Sequence, residues 1–162
     1  MKYPNLEKLI DIVAVLRSEN GCEWDREQTH KTLRPNMLEE AYEAVDAIDD
    51  GDITNLREEL GDVLLQVVLH SQIAKDNKEF DIEDVAKELS DKLIHRHPHV
   101  FGNTHVHSTQ EILDNWDKLK KEEKTYRKSV LDGISKSQSA LMSAQKISKK
   151  VVKVGFEWDS VE

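Results

Sequence analysis

Residues 38–68 read LEEAYEAVDAIDDGDITNLREELGDVLLQVV, two helical patterns either side of one turn. Upstream, Met37, Ala41, Ala44, Val45 and Ile48 recur at helical spacing, and Asp50-Gly51-Asp52 breaks the run. Downstream, a helix is expected from about Thr54 to Lys75. Its Leu56, Leu60, Val63, Leu64 and Val67 face one way, while Leu65, Leu69 and Ile73 face another. A helix apolar on nearly all sides has to be covered on nearly all sides. In a chain of 162 residues that predicts a central helix, or one buried between two copies with Leu65, Leu69 and Ile73 at or near the interface.

The same two helices carry Glu39, Glu40 and Glu43, then Glu59 and Asp62. At about 100° per residue from Met37, Glu40 falls at about 300° and Glu43 at about 240°, along one flank of the apolar stripe. Counted from Leu56, Glu59 and Asp62 fall at the same two angles. Packed antiparallel across the Gly51 turn, the helices would bring four carboxylates together. Such anions repel and are costly to desolvate, and a hard divalent cation, Mg²⁺ or Mn²⁺, suits an all-oxygen cluster. The residues alone leave a second reading open, in which these acids are solvated helix surface.

Outward from this hairpin the pattern stays helical. Leu6, Leu9, Ile10, Val13 and Leu16 form a first stripe ending before Asn20-Gly21, and a polar, irregular stretch runs from Cys22 to Pro35. Trp24 is assigned there to packing of the loop. A helix opens at Asp81 as N-cap and stops before Pro98, and another opens with the capping box Ser108-x-x-Glu111 and presents Ile112, Leu113, Trp116 and Leu119. A polar linker is expected over 126–139, then a helix with Ala140, Ala144, Ile147 and Val151. Gly21-Cys22-Glu23-Trp24-Asp25 is echoed by Gly155-Phe156-Glu157-Trp158-Asp159, which suggests the start of a truncated second repeat. The expected organisation is 1–125 as a helical domain, 126–139 as a linker and 140–162 as a C-terminal helix leading into that repeat.

Composition agrees. Six glycines and three prolines are few, as in helical proteins. A net charge of −9 argues against stable nucleic-acid binding, which needs a basic surface. One cysteine, Cys22, excludes an intramolecular disulfide and fits a reducing compartment. No stretch approaches the length of a membrane span, and the chain reads as cytoplasmic.

Residues 38–68 resemble the MazG family, whose signature is E-E-x-x-E, a variable spacer, then E-x-x-D. Here Glu39-Glu40-x-x-Glu43 and Glu59-x-x-Asp62 meet it, with 15 residues between. NGCEWDREQT (20–29), DKLIHRHPHVF (91–101), the segment Trp116–Glu123 and ALMSAQKISKKVVKVGFEWD (140–159) extend the likeness along nearly the whole chain. The resemblance implies an all-α, dimeric bundle of the NTP pyrophosphatase type. It further implies hydrolysis of nucleoside triphosphates to the monophosphate and pyrophosphate, in a house-cleaning, nucleotide-pool or stress role. By position it gives Glu40, Glu43, Glu59 and Asp62 the metal-ligand role. Glu39 could hold a further metal or orient the attacking water. Lys92 and Arg96, four apart on one helix face, match the family's basic residues and are expected at the triphosphate. Trp116, with Lys120 one turn on, is expected near the base.

Other classes fit less well. A di-iron carboxylate bundle uses Glu-x-x-His, and the imidazoles are missing. His95, His97, His99, His105 and His107 look like a zinc cluster but lack orderly spacing. The remaining alternative is a non-catalytic dimerisation or regulatory domain that retains the acidic motif.

Overall fold

The computed structural model describes residues 3–126 and 128–156, and among these it is all-helical, with no strand. The helices are α1 (Pro4–Leu16), α2 (Glu23–Glu27), α3 (Arg34–Asp49), α4 (Ile53–Asp76), α5 (Ile82–Arg96), α6 (Pro98–Phe101), α7 (Thr109–Glu122) and α8 (Ala140–Val152). The chain forms two compact units, Met1–Lys92 and Leu93–Glu162, which divide within α5.

The α3–α4 hairpin dominates the first unit, and its turn is chemically specified. Gly51 sits at φ +68°, the left-handed conformation that costs glycine least. Its N–H bonds to Ile48 O at 3.1 Å and that of Asp52 to Ala47 O at 3.0 Å, which closes the end of α3 in a Schellman arrangement. Asp52 then caps α4, its Oδ1 accepting from the backbone N–H of Thr54 and Asn55 at 3.0 Å each. The chain reverses in three residues, and α3 packs along α4.

The core lies on the later part of α4. Val68, Leu69 and Ile73 are buried with Val13 of α1 and Leu33, and Leu9, Ile10, Leu65 and Ile82 pack against them. This corrects the expected division of faces. Leu69 and Ile73, with Leu65 beside them, belong to the chain's own core rather than to an interface between copies. Leu60 and Leu64, on the stripe expected to be the main one, are 53% and 37% exposed. Met37, Val45 and Ile48 of α3 are exposed as well, and the buried positions are Ala44 and Ala47. Small side chains there let the two backbones approach closely, and the larger ones are turned outward.

The stretch 22–35 is more ordered than its polarity suggests, because it contains α2. Arg17 anchors it: Nε donates to Asp76 Oδ2 at 2.8 Å, and Nη1 donates to the carbonyls of Asp25 and Gln28. Gly21 is required by close approach, since a Cβ there would lie 2.2 Å from Leu16 O. Trp24, expected to pack the loop, is instead 57% exposed on α2. The echoed Gly155 differs from Gly21 in having φ +83° and open space where a Cβ would point, and Glu157, Trp158 and Asp159 lie outside the described residues.

The expected caps are present. Asp81 Oδ1 accepts from Glu83 and Asp84 N–H at 2.9 and 3.2 Å, and Asp84 Oδ2 accepts from Asp81 N–H at 3.0 Å. At α7, Ser108 Oγ accepts from Glu111 N–H at 3.2 Å, and Glu111 reaches back to His107 N–H at 2.8 Å. In the second unit Lys150 of α8 donates to the carbonyls of Val130 and Asp132, so α8 is tied to the turns that precede it. No helix among the described residues is long and apolar enough to cross a membrane.

Candidate metal centre

The α3–α4 turn sets the register of the two helices, and Glu43 and Glu59 stand equally far from Gly51 on either side. Glu40 lies one turn before Glu43 on α3. One carboxylate oxygen from each of Glu40, Glu43 and Glu59 lies within 4.8 Å of the others. Glu40 and Glu59 are half-buried and Glu43 is exposed.

The electrostatics are those of a cluster short of positive charge. Burial pushes the Glu40 carboxyl up, and Asp62, Glu43, Glu39 and Glu59 push it further in that order. Glu59 is also raised, by burial first and then by Glu43, Asp62 and Glu58, against a hydrogen bond from the Asn55 side chain that lowers it. Asp62 and Glu39 therefore act on the trio through space, although neither is among the three groups whose oxygens come together. Among the described residues, none of the five acids forms an ion pair with a lysine or arginine.

The donor set consists of carboxylate oxygens alone, with no nitrogen or sulfur. Hard divalent cations such as Mg²⁺ take such ligands, at about 2.0–2.6 Å, and neutralise them where burial makes the anions costly. The residues present fit a cation of this kind.

The basic and aromatic candidates lie on other elements. Lys92, on α5, has Nζ 3.8 Å from Glu88 Oε1. In the second unit Arg96 is buried and pairs with Glu123, Nε lying 3.0 Å from Oε1 and 3.2 Å from Oε2, with Nη2 also donating to Oε2. Its guanidinium lies 5.5 Å from the centre of the Trp116 ring, and Lys120 Nζ lies 4.5 Å from the same ring. Both cations stand within the range of attraction to the ring's π face. Glu123 escaped the reading of the sequence, although it lies seven residues after Trp116 and three after Lys120, on the same helical face.

The histidines divide between the two units. His97 Nδ1 lies 2.6 Å from Leu93 O, and the His97 and His99 rings stand 5.7 Å apart and tilted. In the first unit, His30 and His70 meet at 2.7 Å between their Nδ1 atoms. Their ring planes differ by 5° and their centroids are 5.0 Å apart, so the short N···N contact runs between the ring edges. Burial, then His30, holds His70 below the usual imidazole range.

Comparison with known proteins places this geometry in context. Residues 28–101 match the MazG nucleotide pyrophosphohydrolase domain. The chain is 45% identical over 159 residues to a nucleoside triphosphate pyrophosphohydrolase of Escherichia coli (strain K12), covering 96% of this chain and 60% of that protein. It is 46% identical over 157 residues to a nucleoside triphosphate pyrophosphohydrolase/pyrophosphatase MazG of Thermotoga maritima, with the same coverage of each. The crystal structure of a mazG-related protein from Thermotoga maritima superposes with a TM-score of 0.60 at 30% identity, over 71% of this chain and 98% of that one. The chain thus spans about 60% of the length of the E. coli and Thermotoga pyrophosphohydrolases.

Proposed function

This chain belongs to the MazG nucleotide pyrophosphohydrolase family, and on that premise we propose that it hydrolyses nucleoside triphosphates to the monophosphate and pyrophosphate with a divalent cation. The observation that carries the proposal is the convergence of Glu40, Glu43 and Glu59 on the α3–α4 hairpin, with two of the three carboxyls raised by burial and mutual repulsion.

In this reading Glu40, Glu43, Glu59 and Asp62 hold the cation, Mg²⁺ first and Mn²⁺ as a substitute. When bound, the cation would neutralise charge on the phosphate oxygens as pyrophosphate departs. Water adds to the α-phosphorus, the bond from that phosphorus to the α–β bridging oxygen breaks, and a proton is released. Glu39, exposed beside Glu40, orients the attacking water. No serine, cysteine or histidine nucleophile is needed. Lys92 and Arg96 are proposed for the triphosphate, and Trp116 with Lys120 for the rest of the nucleotide.

The same reading keeps 1–125 as the catalytic helical domain, 126–139 as a linker and 140–162 as the segment that holds the last helix and the echoed motif. It places the protein in the cytoplasm. It also takes the working form to be a homodimer, in which a second copy covers the outward apolar side chains of the hairpin, Val45, Ile48, Leu60 and Leu64 among them. A dimeric mass by light scattering at micromolar concentration is expected, and a monomeric mass would refute that part.

The direct test is a pyrophosphate-release assay across the common NTPs and dNTPs with Mg²⁺. ATP should yield AMP and pyrophosphate. ADP and orthophosphate as products would overturn the reaction class.

A further inference from the structure

Resting on the reading that Arg96 meets the triphosphate, we propose that Glu123 is the positioning residue for that arginine. It would set how tightly every nucleoside triphosphate is held without touching the substrate itself.

Glu123 is the C-cap of α7, at the negative end of the helix dipole, where a carboxylate is disfavoured and a lysine or arginine would be the ordinary choice. Lys120 and Lys121 do occupy that last turn. An acid in this position needs a cation, and Arg96 supplies it from the last turn of α5, 27 residues earlier in the chain.

The pair has a definite geometry. Both carboxylate oxygens face the Nε–Nη2 edge of the guanidinium, a bidentate contact that fixes the plane of the arginine as well as its position. The arginine side chain is 9% exposed and the glutamate side chain 24%, so solvent screens the pair weakly. His95 Nε2 stands 3.9 Å from the same carboxylate.

This arrangement has a consequence for phosphate. With Nε and Nη2 engaged by Glu123, the Nη1 side of the fork is the part of Arg96 directed elsewhere. Trp116 lies beside the guanidinium, and Lys120 stands by the same ring, so Glu123 fixes the arginine of a group of two cations and one aromatic. Without the glutamate, the long arginine side chain regains its rotamer freedom, and ordering it again on nucleotide would weaken binding.

Four variants and one probe test the idea. Binding of ATP carrying an imido bridge between the α and β phosphates is measured by calorimetry in wild type, Glu123→Gln, Glu123→Asp, Arg96→Ala and the double variant Arg96→Ala/Glu123→Gln, beside steady-state kinetics and thermal melts. Glu123→Gln should raise Kd and KM roughly tenfold for all triphosphates alike, with kcat within about threefold of wild type. Glu123→Asp should recover part of the loss. In the Arg96→Ala background, Glu123→Gln should add nothing further. A lowered melting temperature with unchanged Kd would make Glu123 a structural brace and overturn the proposal. A lower Kd in Glu123→Gln would also overturn it, since the acid would then compete with phosphate. If Arg96→Ala leaves Kd unchanged while wild type binds and turns over, the premise about Arg96 has failed. If wild type binds no triphosphate, the proposed activity has failed instead.

Discussion

Replacing Glu40 by glutamine should stabilise the metal-free protein while crippling it as an enzyme. Oxygens of Glu40, Glu43 and Glu59 lie within 4.8 Å of one another. A pair of unit charges at that distance repels by about 0.9 kcal/mol in a water-like dielectric. Glu40 faces more than one such neighbour, but it is only half-buried, so salt and solvent hold the total gain to about 1 kcal/mol. In a chain of this size that gain raises the melting temperature by about 2–4 °C. The pH dependence follows from the raised Glu40 carboxyl. A folded pKa above the ordinary value means that the folded chain binds this proton more readily than the unfolded chain. The contribution therefore favours folding below the ordinary value of 4.5 and is lost as pH rises through the folded pKa. The gap between variant and wild type should be widest at neutral pH and should close on acidification towards that value. Adding Mg²⁺ should reverse the order, because a ligand that binds the folded state stabilises wild type and does so less for the variant. The assay is a set of thermal melts in EDTA and in millimolar Mg²⁺ at several pH values. A lower melting temperature for Glu40→Gln in EDTA at neutral pH, or a gap that ignores pH, would refute the claim that these carboxylates repel.

Glu43→Gln, Glu59→Gln and Asp62→Asn should each abolish most pyrophosphate release with unchanged far-ultraviolet circular dichroism, and near-normal rates in two of them would sink the ligand assignment. Ala47 is 2% exposed on α3, which packs along α4, so Ala47→Leu should overpack the hairpin and cost about 1–3 kcal/mol by chemical denaturation; a neutral result would mean that the helices are not closely apposed there. His70 is held below the usual imidazole range by burial and then by His30, which means the folded chain binds that proton less readily. Its stability contribution is present above the ordinary value of 6.5 and lost as pH falls towards the folded pKa. His70→Gln should therefore flatten the fall in melting temperature between pH 7.5 and 5.5, and an unchanged slope would assign that fall to other groups.

The parts of the fold legible in the sequence are those governed by local rules. Helical period fixed the flank on which Glu40, Glu43 and Glu59 lie, and Gly51 with Asp52 announced the reversal that brings them level. The caps at Asp81 and Ser108 were equally local. What sequence periodicity could not decide was which stripe of an all-round apolar helix its own chain would cover. The stripes of α4 are nearly equivalent by angle, and the choice fell to Leu69 and Ile73 because Val13 and Leu33 come to meet them. Ala44 and Ala47, unremarkable as hydrophobic residues, took the buried positions on α3 because their size permits close approach, and this turned Val45 and Ile48 outward. The Arg96–Glu123 pair lay beyond reach for a different reason. Its partners are 27 residues apart with Pro98 and a helix start between them, and no periodicity spans such a break. The same contact bears on the nucleotide residues. An arginine read from sequence as a free cation for phosphate already has a carboxylate on one edge and an aromatic ring beside it. On the reading that it meets the triphosphate, its hold on substrate depends on the group it belongs to, so truncating Arg96 would remove a guanidinium that Glu123 and Trp116 both contact along with the charge. For that reason Glu123→Gln, which keeps the arginine and loosens its fixing, separates positioning from charge in a way that an alanine at Arg96 does not.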